Sequence, residues 1–286
     1  MKICAIVLNY RNVVCTESSL LSLAGQGLDA LLVVDNSDDD SHSSELVAMM
    51  ERQADRLDFT LHRLKPDGNL GFSRGVNLAL NHEAALRCDA ILLINNDAVA
   101  SPGMVARLAS ALADTDCKLA APTIVDAAGN PQPVLWYQRF FGLLTTRRLP
   151  GAFQYLSGCC LMFRRNMLLD GKLFDEEFFM YGEDTQLGWR LRQTDSKVCH
   201  LEDTFVRHPG VGSSRQYGMF YEYHTARAHV LLAWKTWHSR MEIPLLLITK
   251  TTGLALRAAL RSLRSGSMIP LKAFVLAWQK LEIHSP

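Results

Sequence analysis

Three polar residues at the end of an apolar run have side chains suited to binding a charged ligand. Asn95, Asn96 and Asp97 directly follow the run Ala90–Ile94, which predicts a buried strand. Oxygen ligands of this kind hold hard divalent cations, and such a cation neutralises the charge of a diphosphate group. The alternative is that Asp97 only turns the chain or caps the helix that follows. The stretch is a candidate site for a cation and a diphosphate.

Two acids at the start of a predicted helix form a second candidate site. Glu183 and Asp184 follow the aromatic run 178–181 and Gly182. A carboxylate in this position can act as a general base and take a proton from a hydroxyl group. Acids at a helix start also stabilise the helix through its macrodipole, which is the alternative explanation. The aromatic run suits either core packing or a platform for an acceptor.

A histidine beside a glycine-containing loop is the third candidate. His208 ends a strand-like run and precedes the segment 209–214, which contains two glycines. Glycines beside an imidazole leave room for a ligand to approach, because they carry no side chain. A lone histidine also serves structural roles, and the residues by themselves leave both functions open.

Asp35 and Asn36 end another apolar run and precede an acidic, serine-rich loop. An aspartate there can accept hydrogen bonds from a nucleobase or a ribose. The same residue types also form turns by bonding their own backbone, which is the alternative reading of this stretch.

The segment 69–77 combines two glycines with a cation. Gly71 and Gly75 flank Arg74 at the start of a predicted helix, where backbone N–H groups and a guanidinium can face phosphate. The spacing is not that of dinucleotide-binding folds. The alternative is a loop and helix start whose glycines only permit tight packing.

Residues 1–125 alternate apolar runs with helical patterns, which predicts an α/β fold with a mostly parallel sheet flanked by helices. The predicted strands are 3–8, 31–35, 59–64, 90–95 and 119–125. The predicted helices are 16–25, 44–54, 73–86 and 102–113. Ligands of such sheets bind at the carboxyl ends of the strands, where Asn9, Asp35 and Asp97 are expected.

The helix predicted at 102–113 has Ser101 as its N-cap and Pro102 as its first residue. The segment 126–150 loses any clear period and is interpreted as a connector or loop. The elements predicted beyond it are an apolar run at 156–163, a helix at 183–193, a strand at 197–208, and helices from 216 onward with a break at 265–267.

This pattern divides the chain into a domain at 1–235 and a helical C-terminal extension at 236–286. Within the domain, 1–125 is the expected nucleotide-binding half and 126–235 the expected acceptor and catalytic half.

The charge of the chain is uneven along its length. Residues 240–286 contain seven Lys or Arg and two Glu, whereas the whole chain has a formal net charge of +1. These cations lack the interleaved aromatics that stack on bases, which excludes a nucleic-acid partner. The tail instead predicts contact with the cytoplasmic face of a membrane, the alternative being packing on the core or on a second subunit as a homodimer. Lys250 and Arg257 interrupt the apolar run 243–260, which makes it a poor membrane-spanning helix.

The seven cysteines include no CxxC pair. An odd number without such spacing predicts neither a disulfide framework nor a zinc site. We therefore expect reduced, mostly buried thiols and a cytoplasmic protein.

Taken together, seven stretches resemble the family-2 glycosyltransferases of the GT-A fold, in particular their rhamnosyltransferase-like group. They are IVLNY at 6–10, VVDNS at 33–37, NLGFSRGVN at 69–77, LLINNDA at 92–98, SGCCLMFRR at 157–165, LFDEEFFMYGEDTQLGWRL at 173–191 and HPGVGSS at 208–214. Each stretch is weak alone, but the ordered set over residues 1–235 is specific. The resemblance implies a GT-A fold.

The resemblance also implies a role for each matching residue. Asp35 corresponds to the acid that contacts the nucleobase, and Asp97 to the last acid of a metal-binding DxD-type motif. His208 corresponds to a late histidine that completes the metal site in some relatives. Asp184, beside Glu183, corresponds to the catalytic base of the ED motif. The residues implied to line the nucleotide-sugar site are Asn9, Tyr10, Asp35, Asn36, Asn69, Gly71, Arg74, Asn77, Asn95, Asn96 and Asp97.

One position departs from the family pattern. Asn95 replaces the first acid of the DxD-type motif, which gives a cation fewer anionic ligands. Related Asn-Asn-Asp versions exist in the family, so the resemblance still implies a divalent metal, either Mg or Mn.

The reaction implied is an inverting transfer of rhamnose or another hexose from a dTDP- or UDP-sugar. The implied acceptor is a hydroxyl of a cell-surface polysaccharide or a lipid-linked oligosaccharide. A nucleotidyltransferase is an alternative, but it needs a glycine-rich loop directly after the first strand, and residues 9–12 contain no glycine. A non-catalytic sugar-nucleotide or glycan-binding module is the other alternative, and it would bind the donor without turnover.

Overall fold

The computed structural model describes residues 1–114, 116–194, 196–209 and 218–279. The chain forms two compact units. The first contains residues 1–132, 157–174 and 194–210, and the second contains 133–156, 175–193 and 211–286. Both units are built from several separate segments of the chain. The functional boundaries expected at residues 125 and 235 stay predictions.

The strands are β1 (Ile3–Asn9), β2 (Ala30–Asp35), β3 (Thr60–Leu64), β4 (Ala90–Ile94), β5 (Val99–Ala100), β6 (Cys117–Val125), β7 (Leu135–Gln138), β8 (Leu143–Thr145), β9 (Ala152–Tyr155), β10 (Cys160–Arg164) and β11 (Lys197–Arg207). Eight of them form the sheet of the first unit, in the order β3-β2-β1-β4-β10-β6-β11-β5. The strands β3, β2, β1 and β4 are parallel, as are β6 and β11. β10 runs antiparallel to both of its neighbours, and β5 runs antiparallel to β11.

The parallel part of this sheet follows directly from the sequence. β2 and β4 are buried at every position. Strands covered on both faces need a continuous apolar run, and these two strands have one. All five strands predicted before residue 126 are present within about two residues of their expected bounds, which is the usual uncertainty of element ends. The antiparallel strands β10 and β5 make the sheet mixed.

The helices are α1 (Val13–Leu23), α2 (Asp40–Gln53), α3 (Gly71–Leu80), α4 (Glu83–Leu86), α5 (Met104–Ala113), α6 (Glu183–Gln193), α7 (Met219–Lys235), α8 (Ile243–Ser265) and α9 (Ile269–Gln279). The predicted helix at 73–86 is in fact two helices, α3 and α4. His82, in an extended conformation, lies between them and caps α4 by accepting a hydrogen bond from the N–H of Ala84. The predicted start of α5 is wrong. Gly103 has a φ of 77°, a left-handed conformation, so the helix begins after it, and Ser101 and Pro102 lie outside.

The prediction of a connector at 126–150 is wrong. β7 pairs antiparallel with β8 and with β9, giving a three-stranded sheet in the second unit. Tyr137 of β7 is buried opposite Phe153 of β9, and both belong to a core that includes Trp189 of α6. Strands of three or four residues contain too few positions for an alternating pattern to be recognised in a sequence.

The helical region after residue 216 is confirmed where the structure describes it. Gly266 ends α8 in the left-handed conformation and produces the predicted break. The structure adds a second break at 236–242, and residues 280–286 lie outside the described part of the chain. Within the described residues, the helical stretch Arg240–Ser265 is long and apolar enough, by length and composition only, to cross a membrane.

One cysteine prediction is also wrong. Cys117 and Cys199 form a disulfide between the neighbouring strands β6 and β11. Pairing of these strands brings together two residues that are 82 positions apart, which their spacing in the sequence could not indicate. The other five cysteines are free thiols, and all of them except Cys15 are buried, as expected.

Candidate active site

The carboxyl ends of β1 and β2 bring two of the predicted site residues together. Asn9 and Asp35 are register partners at the ends of these parallel strands, and both are fully buried. The side chain of Asn9 donates to Ser37 Oγ at 3.3 Å and accepts from Thr16 Oγ1 at 2.8 Å. Parallel pairing therefore places this polar cluster at the edge where ligands of such sheets bind.

Asp35 is held as a carboxylate by a dense set of donors. It accepts hydrogen bonds from Ser43 Oγ at 2.5 Å and from the Arg63 guanidinium at 2.7 Å, as well as from the N–H of Ser37 at 3.2 Å. Burial alone raises the pKa of Asp35, but the hydrogen bonds from Ser43, Arg63 and Ser37 outweigh it and lower that pKa to about 2. The acid is therefore ionised at neutral pH.

Two cations that the sequence analysis did not predict lie beside Asp35. Arg63 lies near the end of β3, the strand next to β2, and Lys65 follows that strand. Lys65 Nζ lies 3.7 Å from the Asp35 carboxylate and donates to the carbonyl of Ser37. Both lie at the carboxyl end of the third strand, and polar residues at such ends of a parallel sheet are a signal for its ligand edge.

Tyr10 lies at the border of the same edge. Its hydroxyl is 3.5 Å from a carboxylate oxygen of Asp38, and the Arg11 guanidinium lies 5.3 Å from its ring centroid. Arg11 has a φ of 52° and also forms an ion pair with Asp38. These contacts tie the loop after β1 to the loop after β2.

The loop before α3 is joined to the end of β2 by Asn36. Its side-chain amide donates to the carbonyl of Gly71 at 3.1 Å, and its oxygen accepts from the N–H of Leu70 at 3.4 Å. Asn69 accepts from the N–H of Gly71 at 2.9 Å, which forms a local turn. Gly71 has a φ of 74°, so a residue without a Cβ suits this turn.

Three residues of α3 differ in their exposure. Gly75 is buried, and a Cβ there would lie 2.8 Å from the Leu8 side chain, so glycine permits close packing of α3 on β1. Arg74 is exposed and has no ion-pair partner among the described residues. Asn77 is buried, donates to the carbonyl of Phe174 at 2.8 Å, and accepts from the N–H of Leu173 at 3.0 Å. Asn77 thus anchors α3, while Arg74 is the group able to meet a phosphate.

Asp97 and His208, distant in sequence, lie side by side in the first unit. Asp97 Oδ1 is 3.1 Å from His208 Nε2, and both side chains are mostly buried. The antiparallel pairing of β5 with the end of β11, in which Val99 faces Arg207, brings the two residues together. The N–H of His208 donates to the carbonyl of Val125 at 2.9 Å, which fixes the chain at this point.

The two asparagines before Asp97 have other partners. Asn96 donates to Thr16 Oγ1 at 3.2 Å, and the main chain of Asn95 bonds the carbonyl of Cys159 and the hydroxyl of Ser19. Asn96 therefore joins the end of β4 to the start of α1. The backbone of Asn95 joins it to α1 and to the residue before β10. Of the three residues 95–97, Asp97 is the one that contacts His208.

The Asp97 and His208 pair fits a divalent cation. Two neighbouring ligands of an octahedral ion, each about 2.1 Å from it, are about 3.0 Å apart, close to the separation of these two atoms. Among the described residues no third His, Cys, Asp or Glu completes a cluster. A magnesium-type ion commonly takes only one or two protein ligands and fills its shell with waters and substrate phosphates. The pair thus suits an ion that binds with a phosphorylated ligand.

The two acids Glu183 and Asp184 belong to the second unit, where they start α6 as predicted. Tyr181 and Gly182, directly before them, have φ values of 67° and 85°. A Cβ at Gly182 would lie 2.9 Å from the Cβ of Ala228 in α7, so glycine is needed for both the turn and the packing. Asp184 Oδ1 accepts from the N–H of Thr185 at 2.7 Å.

Glu183 has a different environment from Asp184. Its side chain is buried, and its Oε2 has no hydrogen-bond partner within the described structure. Burial, with a smaller contribution from the neighbouring charge of Asp184, raises the pKa of Glu183 to about 8. Burial thus favours the protonated form of Glu183.

An aromatic cluster lies in the same unit. Phe179 stacks on His224 of α7, with ring centroids 4.9 Å apart, and Phe220 lies 4.4 Å from the same imidazole. Tyr181 meets Tyr221 edge-on at 5.4 Å. Phe220 is 46% exposed, and the other rings are partly exposed. The aromatic run before α6 is therefore only in part a core element.

The family model described as "Glycosyltransferase like family 2" matches residues 16–227, which is most of the chain. The chain belongs to glycosyltransferase family 2. This confirms the resemblance at the level of the family, while the rhamnosyltransferase-like group stays a prediction.

A curated relative of this family-2 chain is a hexosyltransferase of low-salt glycan biosynthesis, Agl10, from Haloferax volcanii. The two are 26% identical over 220 residues, which is 71% of this chain and 66% of the relative. The match therefore spans just under two thirds of the length of that relative.

Solved structures place this family-2 chain in the GT-A fold. The mannosyltransferase PcManGT from Pyrobaculum calidifontis, in complex with GDP-Man and Mn²⁺, matches 98% of this chain and 86% of its own, with a TM-score of 0.59 and 15% identity. TarS 1-349 from S. aureus, in complex with UDP-GlcNAc, matches 97% and 81%, with a TM-score of 0.57 and 17% identity. The predicted α/β fold with a flanked central sheet and a helical C-terminal region is confirmed.

Proposed function

We propose that this chain is an inverting glycosyltransferase that moves a sugar from a nucleotide-diphosphate donor to a hydroxyl of a glycan. The observation that carries the proposal is the contact of Asp97 with His208 at the carboxyl edge of the sheet, in a chain of family 2. PcManGT binds GDP-Man with Mn²⁺, and TarS binds UDP-GlcNAc, which supports a donor of this class. A dTDP- or UDP-sugar carrying rhamnose or another hexose is the donor we propose.

The first unit supplies the groups for the donor. Arg63 and Ser43 donate hydrogen bonds to the Asp35 carboxylate. A nucleobase at this edge therefore meets a cluster that contains both a negative and a positive charge. The exposed Arg74 follows a glycine turn at the start of α3 and meets the diphosphate, since helix starts and guanidinium groups both favour anions.

Asp97 and His208 would hold a divalent cation, Mg or Mn, which when bound neutralises the charge that develops on the leaving diphosphate. A carboxylate is the type of ligand that Mg and Mn prefer, and an imidazole is a common metal ligand.

Asp184 is the proposed general base. It takes the proton from the acceptor hydroxyl as that oxygen bonds to the anomeric carbon and the bond from this carbon to the nucleotide diphosphate breaks. No covalent enzyme intermediate is needed. Burial favours the protonated form of Glu183, so Asp184 is the acid that we propose for this role.

The aromatic cluster supports a glycan as the acceptor. The C–H groups of one face of a sugar ring pack on aromatic faces, and Phe179 and Phe220 offer such faces on the unit that carries Asp184. The chemical class is a cell-surface polysaccharide or lipid-linked oligosaccharide, whose exposed end is a sugar ring.

A thermal-shift screen of nucleotide sugars, each with and without Mn²⁺ or Mg²⁺, tests this function. A ligand that binds only the folded state raises the melting temperature, so a true donor shifts it in the presence of metal. In Asp97→Ala and His208→Ala proteins the metal-dependent part of that shift should disappear.

The matched control is Asp114→Ala, which removes an exposed acid paired with Lys197 near the other end of β11. It should keep the wild-type shift. Equal metal-dependent shifts in wild type, Asp97→Ala and His208→Ala would contradict the assignment of the cation site. A donor that binds but is neither transferred to an acceptor nor hydrolysed would favour a binding module.

A further inference from the structure

One face of α8 exposes a stripe of mostly apolar side chains. Its positions recur every three or four residues, the spacing of one face of an α-helix. They are Met241, just before the helix, and Leu245, Ile248, Thr252, Leu256, Leu260 and Leu263. Ile248 and Leu263 are 66% and 81% exposed. Six large apolar side chains thus lie in one row on the surface of the second unit.

The opposite face of α8 is used for packing. The buried positions Leu246, Lys250, Leu254, Ala258 and Ser262 recur every four residues. At 3.6 residues per turn this row lies on the other side of the helix from the stripe. The buried row packs against α7 and α9, so the second unit already has its core without the stripe. The exposed row therefore needs a different explanation from core packing.

The charges of this region are mostly positive. Residues 240–279 contain six Lys or Arg and one acid, Glu242, which forms an ion pair with Arg139. Arg261 forms an ion pair with Glu222 of α7, whereas the side chains of Arg240, Arg264 and Lys272 are exposed. The apolar stripe is thus accompanied by exposed cations.

We propose that the α8 stripe docks this protein on the surface of an anionic lipid bilayer, with α8 lying in the interface plane. Apolar side chains in a row enter the boundary between headgroups and acyl chains, and flanking cations pair with anionic headgroups. α8 carries the stripe on an element whose other face is fixed to the protein. The exposed cations lie before α8 at Arg240, in its last turn at Arg264, and in α9 at Lys272. Docking of this kind holds the enzyme where a lipid-linked acceptor is found.

Charge decides between a bilayer and a second copy of the chain. A symmetric dimer through the stripe would bring the exposed cations of two copies together, and like charges across an interface oppose association. A negatively charged bilayer gains from the same cations. A spanning arrangement is disfavoured because the buried row of α8, with Lys250, packs on the protein.

Vesicle flotation of the full chain tests the proposal without any measurement of turnover. Wild type should float with vesicles of phosphatidylglycerol and phosphatidylcholine, and much less with phosphatidylcholine alone. Leu245→Gln, Ile248→Gln and Leu256→Gln combined should weaken binding at least about tenfold, because the apolar area that enters the bilayer is lost. These three side chains are exposed, so the folded protein is retained.

Val14→Gln with Leu86→Gln is the matched control, since these apolar side chains of the first unit are 70% and 53% exposed. It should bind vesicles as wild type does. Arg264→Ala with Lys272→Ala should lose about fivefold in affinity per cation, and less at high salt.

Three results would overturn the proposal. They are a wild-type chain that never binds anionic vesicles, a stripe variant that changes the oligomeric state in light scattering while vesicle binding persists, and a bound protein that resists both high salt and alkaline carbonate. The second would make the stripe a dimer contact, and the third would indicate a spanning helix. Because nucleotide-sugar binding is assayed separately, either proposal can fail alone.

Discussion

Replacing Glu183 by glutamine tests the electrostatics of the helix start that carries the proposed base. In the unfolded chain this glutamate loses its proton near pH 4.5, whereas in the folded protein it keeps the proton up to about pH 8. The folded state therefore binds one more proton between these values, and the free energy of unfolding falls as pH rises through this window. The carboxamide that replaces the carboxyl group in the variant has no proton to lose, so the variant lacks this dependence.

The magnitude follows from the same linkage. One proton difference changes the free energy of unfolding by about 1.4 kcal/mol per pH unit. From pH 5.5 to 7.5, the free energy of unfolding of Glu183→Gln relative to wild type should therefore rise by up to about 2.7 kcal/mol. Subtracting wild type from variant cancels the titration of the shared groups that do not interact with Glu183, which leaves Glu183 and its coupled neighbour Asp184.

Urea unfolding followed by tryptophan fluorescence is a suitable assay. All five tryptophans of the chain lie in the second unit, which contains Glu183, so the signal reports this unit. Glu45→Gln, which changes an exposed acid of α2, should show no such rise. If the difference between Glu183→Gln and wild type is the same at all three of pH 5.5, 6.5 and 7.5, Glu183 is ionised in the folded protein and the reasoning fails.

Three further predictions concern single side chains. Asp184→Asn should bind the donor with wild-type affinity and lose about 10²–10⁴-fold in kcat; a kcat within a factor of two of wild type would remove Asp184 from the role of base. Asp35→Asn should lower the free energy of unfolding by about 1–3 kcal/mol at pH 7, because it leaves the Arg63 guanidinium without its charged partner. Since folding lowers the pKa of Asp35, the difference in free energy of unfolding between variant and wild type is present above about pH 4 and shrinks as pH falls towards 2. Urea unfolding followed by circular dichroism measures this difference. A difference that does not change with pH would contradict the prediction. Gly188→Ala places a Cβ 2.6 Å from the Cβ of Tyr155, and should cost about 1–3 kcal/mol by the tryptophan assay; an unchanged urea midpoint would show that α6 shifts without cost.

The predicted Asp97 and His208 pair shows how far the candidate site could be read without a structure. The residue types and their positions at the ends of apolar runs pointed to cation binding, and the family resemblance named both. Their separation of 3.1 Å depends on the pairing of β5, a strand of two residues, with the end of β11. No local pattern in a two-residue strand could have indicated that contact.

The sequence alone determined the elements whose patterns are local and long. Continuous apolar runs specified β1, β2 and β4, and the ordered polar stretches identified the family. These features depend only on the order of neighbouring residues in the chain, so they can be predicted without a structure.

Only the tertiary structure decided which groups meet. It joined Asp35 to Arg63, and Cys117 to Cys199, and it buried Glu183 so that this acid keeps its proton while Asp184 stands beside it. Such outcomes depend on contacts between distant segments and on loss of water around a charge. Those quantities exist only once strands have paired and side chains have packed.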